Sequence, residues 1–308
     1  MIPMKKIFVS ICLLISVVLL RAQQDGLYSN QLFSLQEFNP AYAGARGVLS
    51  GTILHRSQWI GLDGAPNSEF IAVNSPLPFY DMSGGFSLSS DRIGPLSNTV
   101  LGLDAAHQLR FSEKSFLRYG LKLSGLFSNA NFGTLNLNEG NDALFAGNMR
   151  SKMAVNIGFG AIFTYDKYYV GISSPRMANT KYKASNGSGM NILSTQRQVC
   201  FNAGASVQIT PDILLRPTVL ARITSGAPAS IDLATTAVYK DLFWLGLMGR
   251  YGDAFGVSVG GNVTDEVQIG YAFDASIGGL SGYTSHEIVF RYDMIKNGQK
   301  LTSNLRYF

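Results

Sequence analysis

From about residue 47 to residue 293 the chain alternates apolar residues with polar or small ones, and this period of two dominates everything else in it. In the stretch SFLRYGLKLSGLF, Leu117, Tyr119, Leu121 and Leu123 fall on one face while Arg118, Gly120, Lys122 and Ser124 fall on the other. KMAVNIGFGAIFTY repeats the pattern, with Val155, Ile157, Phe159, Ala161 and Phe163 set against Asn156, Gly158, Gly160 and Thr164. EVQIGYAFDAS sets Val267, Ile269, Tyr271 and Phe273 against Gln268, Gly270, Ala272 and Asp274. Side chains point to opposite faces of a strand in turn, so such runs read as strands with one greasy and one wet face.

The runs place about fourteen strands of roughly ten residues at 47–55, 67–75, 82–90, 98–111, 115–127, 152–165, 167–174, 196–209, 213–223, 229–239, 242–251, 254–263, 266–276 and 284–293. An even number of alternating strands of this length predicts an all-β fold, a transmembrane antiparallel β-barrel of the bacterial outer-membrane type. The connections supply a separate check. With the first strand starting in the periplasm, the inner connections are tiny (112–114, 166–167, 210–212, 240–241, 264–265), and 76–81 is slightly longer. The outer connections include the two longest, 128–151 and 175–195, and outer-membrane barrels sort their loops this way. Gly252–Asp253 is a short exception on the outside. Charged residues make up 15% against about 25% in soluble domains, which fits either a dense β protein or one that meets lipid. A soluble β-sandwich also alternates, but fourteen strands with aromatic-rich apolar faces behind a signal peptide fit the barrel better.

The first 22 residues supply the address. Lys5 and Lys6 precede an apolar run from Ile7 to Leu20, and Ala22 stands before Gln23, the pattern of a secretory signal peptide. The run is shorter than the ~20 residues a spanning helix needs, and no later stretch reaches about 18 apolar residues. Any crossing of a membrane therefore falls to strands. Cys12 lacks the small residues that precede a lipidated cysteine. Loss of 1–22 removes three basic residues and no acid, so net charge falls from +5 to +2, which gives no reason to expect a nucleic-acid partner. Cys200 then remains as the one cysteine, which excludes an internal disulfide and reads as an inert thiol.

Charges on the wet face fall out of phase with Leu, Phe and Tyr. They are Arg110, Arg118, Lys122, Arg216, Arg222, Arg250 and Arg291, with Asp104, Asp232, Asp274 and Glu287. A cation facing hydrocarbon at the bilayer midplane costs about 2–4 kcal/mol, so these residues are assigned to the lumen. Their mixed signs favour paired lumen charges over a selectivity device.

No catalytic, cofactor or metal constellation is expected. GVSVG at 256–260 matches G-x-S-x-G, yet alternation continues through Val257 and Val259, so Ser258 lies on a strand and not on a strand–turn–helix elbow. His55, His107 and His286 are isolated, with His107 on the lipid-facing parity, and neither HExxH nor CxxC occurs.

Ahead of the first strand stands YSNQLFSLQEFNPAYAGARG. Asn39–Pro40 starts a turn, Pro40 keeps Asn39 out of the helical region, and Gly44 permits a sharp bend. The segment is expected to form a fixed hook at the periplasmic rim, entering or packing under the lumen. This phrase resembles the opening of the PorP/SprF family of type IX secretion outer-membrane proteins, through Asn39, Pro40, Ala41, Tyr42, Ala43 and Gly44. HRSQWIGLDGAPNS (Arg56, Gln58, Trp59, Gly61, Gly64, Ala65, Pro66) and GGFSLSSDRIGPL (Gly84, Asp91, Gly94, Pro95) follow in order and are similar too. The paired strands NIGFGAIFTYDKYYVGISSP and the closing SHEIVFRYD extend the likeness to about residue 293, whereas family members often stop soon after the last strand and this chain continues to Phe308.

Taken together, these readings divide the chain into a signal peptide at 1–22, an N-terminal periplasmic or plug-like segment at 23–46, a barrel at 47–293 and a tail at 294–308. The family resemblance adds expectations about role. It implies a non-enzymatic protein in the cell outer membrane of Bacteroidota, in contact with its lipids. Its partners would be type IX secretion components, the C-terminal domain of a large secreted adhesin, or both, including in gliding. Phe38, Asn39, Pro40, Ala41, Tyr42, Ala43 and Gly44, with Trp59, are the candidate partner contacts. A porin or small-solute transporter is the first alternative and a membrane-embedded hydrolase the second.

Overall fold

The computed structural model describes residues 26–78, 81–132, 153–183 and 191–295. The signal-peptide assignment, most of the 128–151 connection and the tail from 296 onward lie outside the described residues.

The strands are β1 (Leu49–Ser57), β2 (Asn67–Pro76), β3 (Met82–Ile93), β4 (Leu96–Arg110), β5 (Ser115–Ala130), β6 (Ala154–Tyr165), β7 (Tyr168–Arg176), β8 (Thr180–Lys183), β9 (Asn191–Thr195), β10 (Gln198–Ala205), β11 (Val207–Thr210), β12 (Ile213–Thr224), β13 (Ser230–Tyr239), β14 (Phe243–Arg250), β15 (Ala254–Asn262), β16 (Val267–Ser276) and β17 (Thr284–Met294). Each wall strand pairs antiparallel with its neighbours, β7 pairs with β10, β10 and β11 both pair with β12, and β1 pairs with β17. Counting β10 and β11 as one strand interrupted at Ser206, the ring is a closed barrel of fourteen strands, as the alternation predicts. The hairpin β8–β9 lies within what reads in the sequence as a plain loop, and it stands apart from the ring.

The sidedness is that of a membrane barrel. Leu101, Leu103, Leu121, Leu123, Ile157 and Phe159 are exposed on the outer surface, while Gly102, Asp104, Ala106, Lys122 and Ser124 between them face inward and are buried. The lumen is not empty. Helix α1 (Gln31–Phe38) and a 3-10 turn (Pro40–Tyr42) lie inside it, ahead of β1. Among the described residues, two buried apolar clusters join this segment to the wall. One groups Leu35, Ala41, Tyr42 and Ala45 with Phe116, Ile162 and Tyr169; the other groups Tyr28 and Phe38 with Leu54, Phe70, Cys200, Leu220 and Val289. The hook read from the sequence is therefore a plug that runs most of the barrel's length. Gly26 lies beside Ser68, Asp91 and Arg222, at the long-loop end, and Arg46 lies beside Asp293, at the short-turn end. α1 has no side-chain N-cap and only eight residues, too few for independent stability, so its packing inside the barrel holds it.

Candidate functional site

The plug and the inward face of the wall form one polar and aromatic unit. At the long-loop end, the Arg56 guanidinium donates to Asp274 (Nη2–Oδ2 2.7 Å) and to Ser29 Oγ (2.7 Å), and lies 3.5 Å from Glu287 Oε2. Glu287 in turn accepts from the backbone N–H groups of Ser29 and Asn30, both at 2.7 Å. One buried arginine and two buried carboxylates thus grip the start of the plug, each ion having several partners, which such burial requires. Arg222 stacks over the Phe38 ring at 5.3 Å and pairs with Asp232, which also binds Arg250 at 2.6 Å. Gln36 donates to Asp104 at 2.9 Å, and Lys122 closes that group with a 3.1 Å ion pair.

The FNPAYAG phrase now has a physical account. Phe38 fills the second apolar cluster, and its carbonyl accepts from Ser173 Oγ at 2.8 Å. Asn39 caps the 3-10 turn by accepting from the Ala41 N–H at 3.0 Å, while its amide donates to the Ala161 carbonyl at 3.3 Å. Pro40 takes the first turn position, where no N–H is needed. Ala41 and Ala43 are small because the wall is close, and Arg118 donates to both their carbonyls, at 2.9 and 2.6 Å. The Tyr42 hydroxyl accepts from Asn202 at 2.5 Å; burial first, then Tyr169, pushes this phenol well above its ordinary pKa, so it stays neutral. Gly44 has φ +66°, and a side chain there would strike Ser83 and the Ser75 carbonyl. The wall is complementary: a Cβ at Gly120 would lie 2.7 Å from the Ala41 nitrogen, and one at Gly160 would overlap the Asn39 side chain.

Of the charges assigned to the lumen, Arg118, Lys122, Arg222, Arg250, Arg291, Asp104, Asp232, Asp274 and Glu287 are buried on the inward face. Arg216 is half-buried there, and Arg110 keeps the inward parity but stands exposed at the short-turn end of β4. Phe38 to Gly44, the expected partner contacts, lie inside the lumen. All seven are buried, because the lumen wall already contacts them, and none offers a free surface in this arrangement. Trp59 is partly buried at the long-loop mouth, with its indole N–H donating to Ser276 at 3.0 Å and φ at +47°. Ser258 lies mid-strand on β15, inside the lumen; His107 stacks on Tyr119 and His286 on Tyr271, both on the outer parity. Arg46, Arg56 and Asp293 belong to the site although the sequence reading assigns them no charge role; Arg46 binds Asp293 with two nitrogens. Arg56 and Asp293 share the parity of Thr52 and Arg291, so alternation alone marks them.

The family model described as type IX secretion system membrane protein PorP/SprF matches residues 20–292. Curated proteins give no match. Among solved structures, the CymD monoaromatic hydrocarbon channel is similar at TM-score 0.50 and 14% identity, with 86% of this chain and 93% of that one covered. The Acinetobacter baumannii outer membrane protein Omp33 gives TM-score 0.45 and 7% identity over 80% of this chain and 100% of that one. A Pseudomonas aeruginosa FadL homologue gives 0.45 and 11% over 84% and 93%. Identities this low speak to the barrel fold alone.

Proposed function

Because the chain belongs to the PorP/SprF family of type IX secretion system membrane proteins, we propose that it is a non-enzymatic, plugged barrel of the outer membrane that docks its partners at the rims. Those partners are periplasmic components of the machine, a large secreted adhesin, or both, in export and surface attachment of the gliding type in Bacteroidota. A cleaved signal peptide at 1–22 delivers it across the inner membrane.

The observation that carries this reading is the filled lumen. Residues 26–48 are tied by hydrogen bonds and ion pairs to strands around the ring, from Asn74 on β2 and Arg118 on β5 to Asn202 on β10 and Asp293 on β17. A solute channel works through an open path, whereas a docking body works through a rigid one. With Phe38 to Gly44 enclosed, their part is to set the shape of the barrel and not to touch a partner. Contact falls to the rims: Trp59 with the exposed Ile60 at the long-loop end, and β11 with its neighbouring turns at the short-turn end.

The test is affinity purification of a tagged chain from its native outer membrane, with conductance measured on the same material in planar bilayers. Type IX components or an adhesin domain in the eluate, together with an electrically silent barrel, are expected. A steady open pore with no such component would move the protein to the porin class.

A further inference from the structure

Between the plug and the wall of β12 to β17 is a cavity of about 80 Å³ that reaches the short-turn end at Asp241 and Asn262. Arg46, Arg216 and Arg291 all line it. Arg291 is 7% exposed, donates from Nε to Thr52 Oγ1 (3.0 Å) and from Nη2 to the Leu32 carbonyl (3.4 Å), and stacks on the Phe33 ring at 4.2 Å. Among the described residues it has no carboxylate in ion-pair contact, and its Nη1 takes no protein acceptor. The charged groups acting on it are Arg46, Arg216 and Asp293, and Asp293 is already clasped by Arg46. Arg291 is thus left with one acting carboxylate, and another guanidinium already holds that carboxylate.

The rest of the cavity is built, not left over. Trp244 lies along its wall against Phe33, ring centroids 5.6 Å apart. The indole has room there only because Gly260 and Gly270 lack side chains: a Cβ on Gly270 would come within 2.8 Å of it, and one on Gly260 would overlap it. A buried guanidinium without a counterion is costly, and a forked donor of this kind matches a carboxylate or phosphate. The volume holds several waters, or one oxyanion group, and no large solute.

We propose that this cavity binds an oxyanion, the carboxylate or phosphate end of a ligand that enters from the periplasmic side, with Arg291 as its central donor. This goes beyond the docking role and does not depend on which secretion partner is bound.

Trp59 and Trp244 are the two tryptophans of the chain, so a Trp59→Phe background reports on the cavity alone. The full chain in detergent is titrated with an acetyl-blocked pentapeptide bearing a free C-terminal carboxylate, with the same peptide amidated, and with inorganic phosphate, while Trp244 emission is followed. Saturable change with the free acid, with phosphate or with both is expected, and the pattern tells which group is the ligand. The amide should bind at least tenfold more weakly than the free acid if the acid binds. Arg291→Gln should weaken the responding probe at least tenfold and Arg291→Lys by less, with folding checked by heat-dependent gel mobility. Should Arg291→Gln fail to fold, Arg216→Gln serves in its place with the same expectation. No saturable response to either acid or phosphate, or an unchanged response in the folded glutamine variant, overturns the proposal.

Discussion

Arg56 and Asp274 stand 218 residues apart in the chain and meet inside the barrel at 2.7 Å, with Ser29 of the plug hydrogen-bonded to both. The pair therefore belongs to the wall and the plug at once. Arg56→Met leaves Asp274 and Glu287 buried without their main counter-charge, and removing one partner of a buried pair costs about 3–5 kcal/mol. Urea unfolding in lipid vesicles should show a loss of that order. Arg56→Met with Asp274→Asn should recover part of it, since the strongest uncompensated charge is gone. A single variant as stable as the parent would mean that the pair holds nothing.

Bulk at Gly160 should evict the plug without breaking the wall. A valine there would occupy the space of the Asn39 side chain, while the strand itself accepts β-branched residues readily. The expected outcome is a folded barrel, judged by gel mobility, that gains steady conductance and becomes protease-sensitive between residues 26 and 48. A silent Gly160→Val barrel would show that the plug is not what closes the lumen.

Arg118→Ala removes the donor that holds the Ala41 and Ala43 carbonyls. Hydrogen bonds from charged groups contribute about 1.5–3 kcal/mol each. Hydrogen exchange should therefore speed up by at least tenfold at the amides of Tyr42 and Ala43, and stay near parental in β14 and β15. Uniform acceleration across the barrel would instead make Arg118 a general stabiliser.

Leu103 is 59% exposed in the middle of β4, facing the opposite way to Asp104. Leu103→Arg places a cation in hydrocarbon and should cost about 2–4 kcal/mol in vesicle unfolding. Little change would mean that this face does not meet the bilayer core.

The barrel was legible because a lipid-facing wall leaves a strict mark: Leu121 and Leu123 cannot trade places with Lys122 and Ser124 without exposing charge to hydrocarbon. The inward charges followed from the same rule, and Arg56 and Asp293 could have been added by it. α1 was not legible. QLFSLQEF has neither a cap nor a clear stripe, because its surroundings on every side are lumen and it needs no wet face. FNPAYAG was legible as a hook entering or packing under the lumen, but its close fit was not, since the space for Pro40 and Asn39 is made by Gly120 and Gly160, some 80 and 120 positions away, and a glycine on a strand does not announce what approaches it. The break at Ser206 also left no pattern, for alternation resumes on either side of it.

The ring is sealed by β1 against β17, the first wall strand against the last. The seam needs the last strand as well as the first, so the ring can close only once the whole wall is laid out. A filling bonded to so many strands around the ring is more readily wrapped than threaded. Assembly in which the curling sheet gathers around its own leading segment, and shuts once that segment is in place, is the order this arrangement favours.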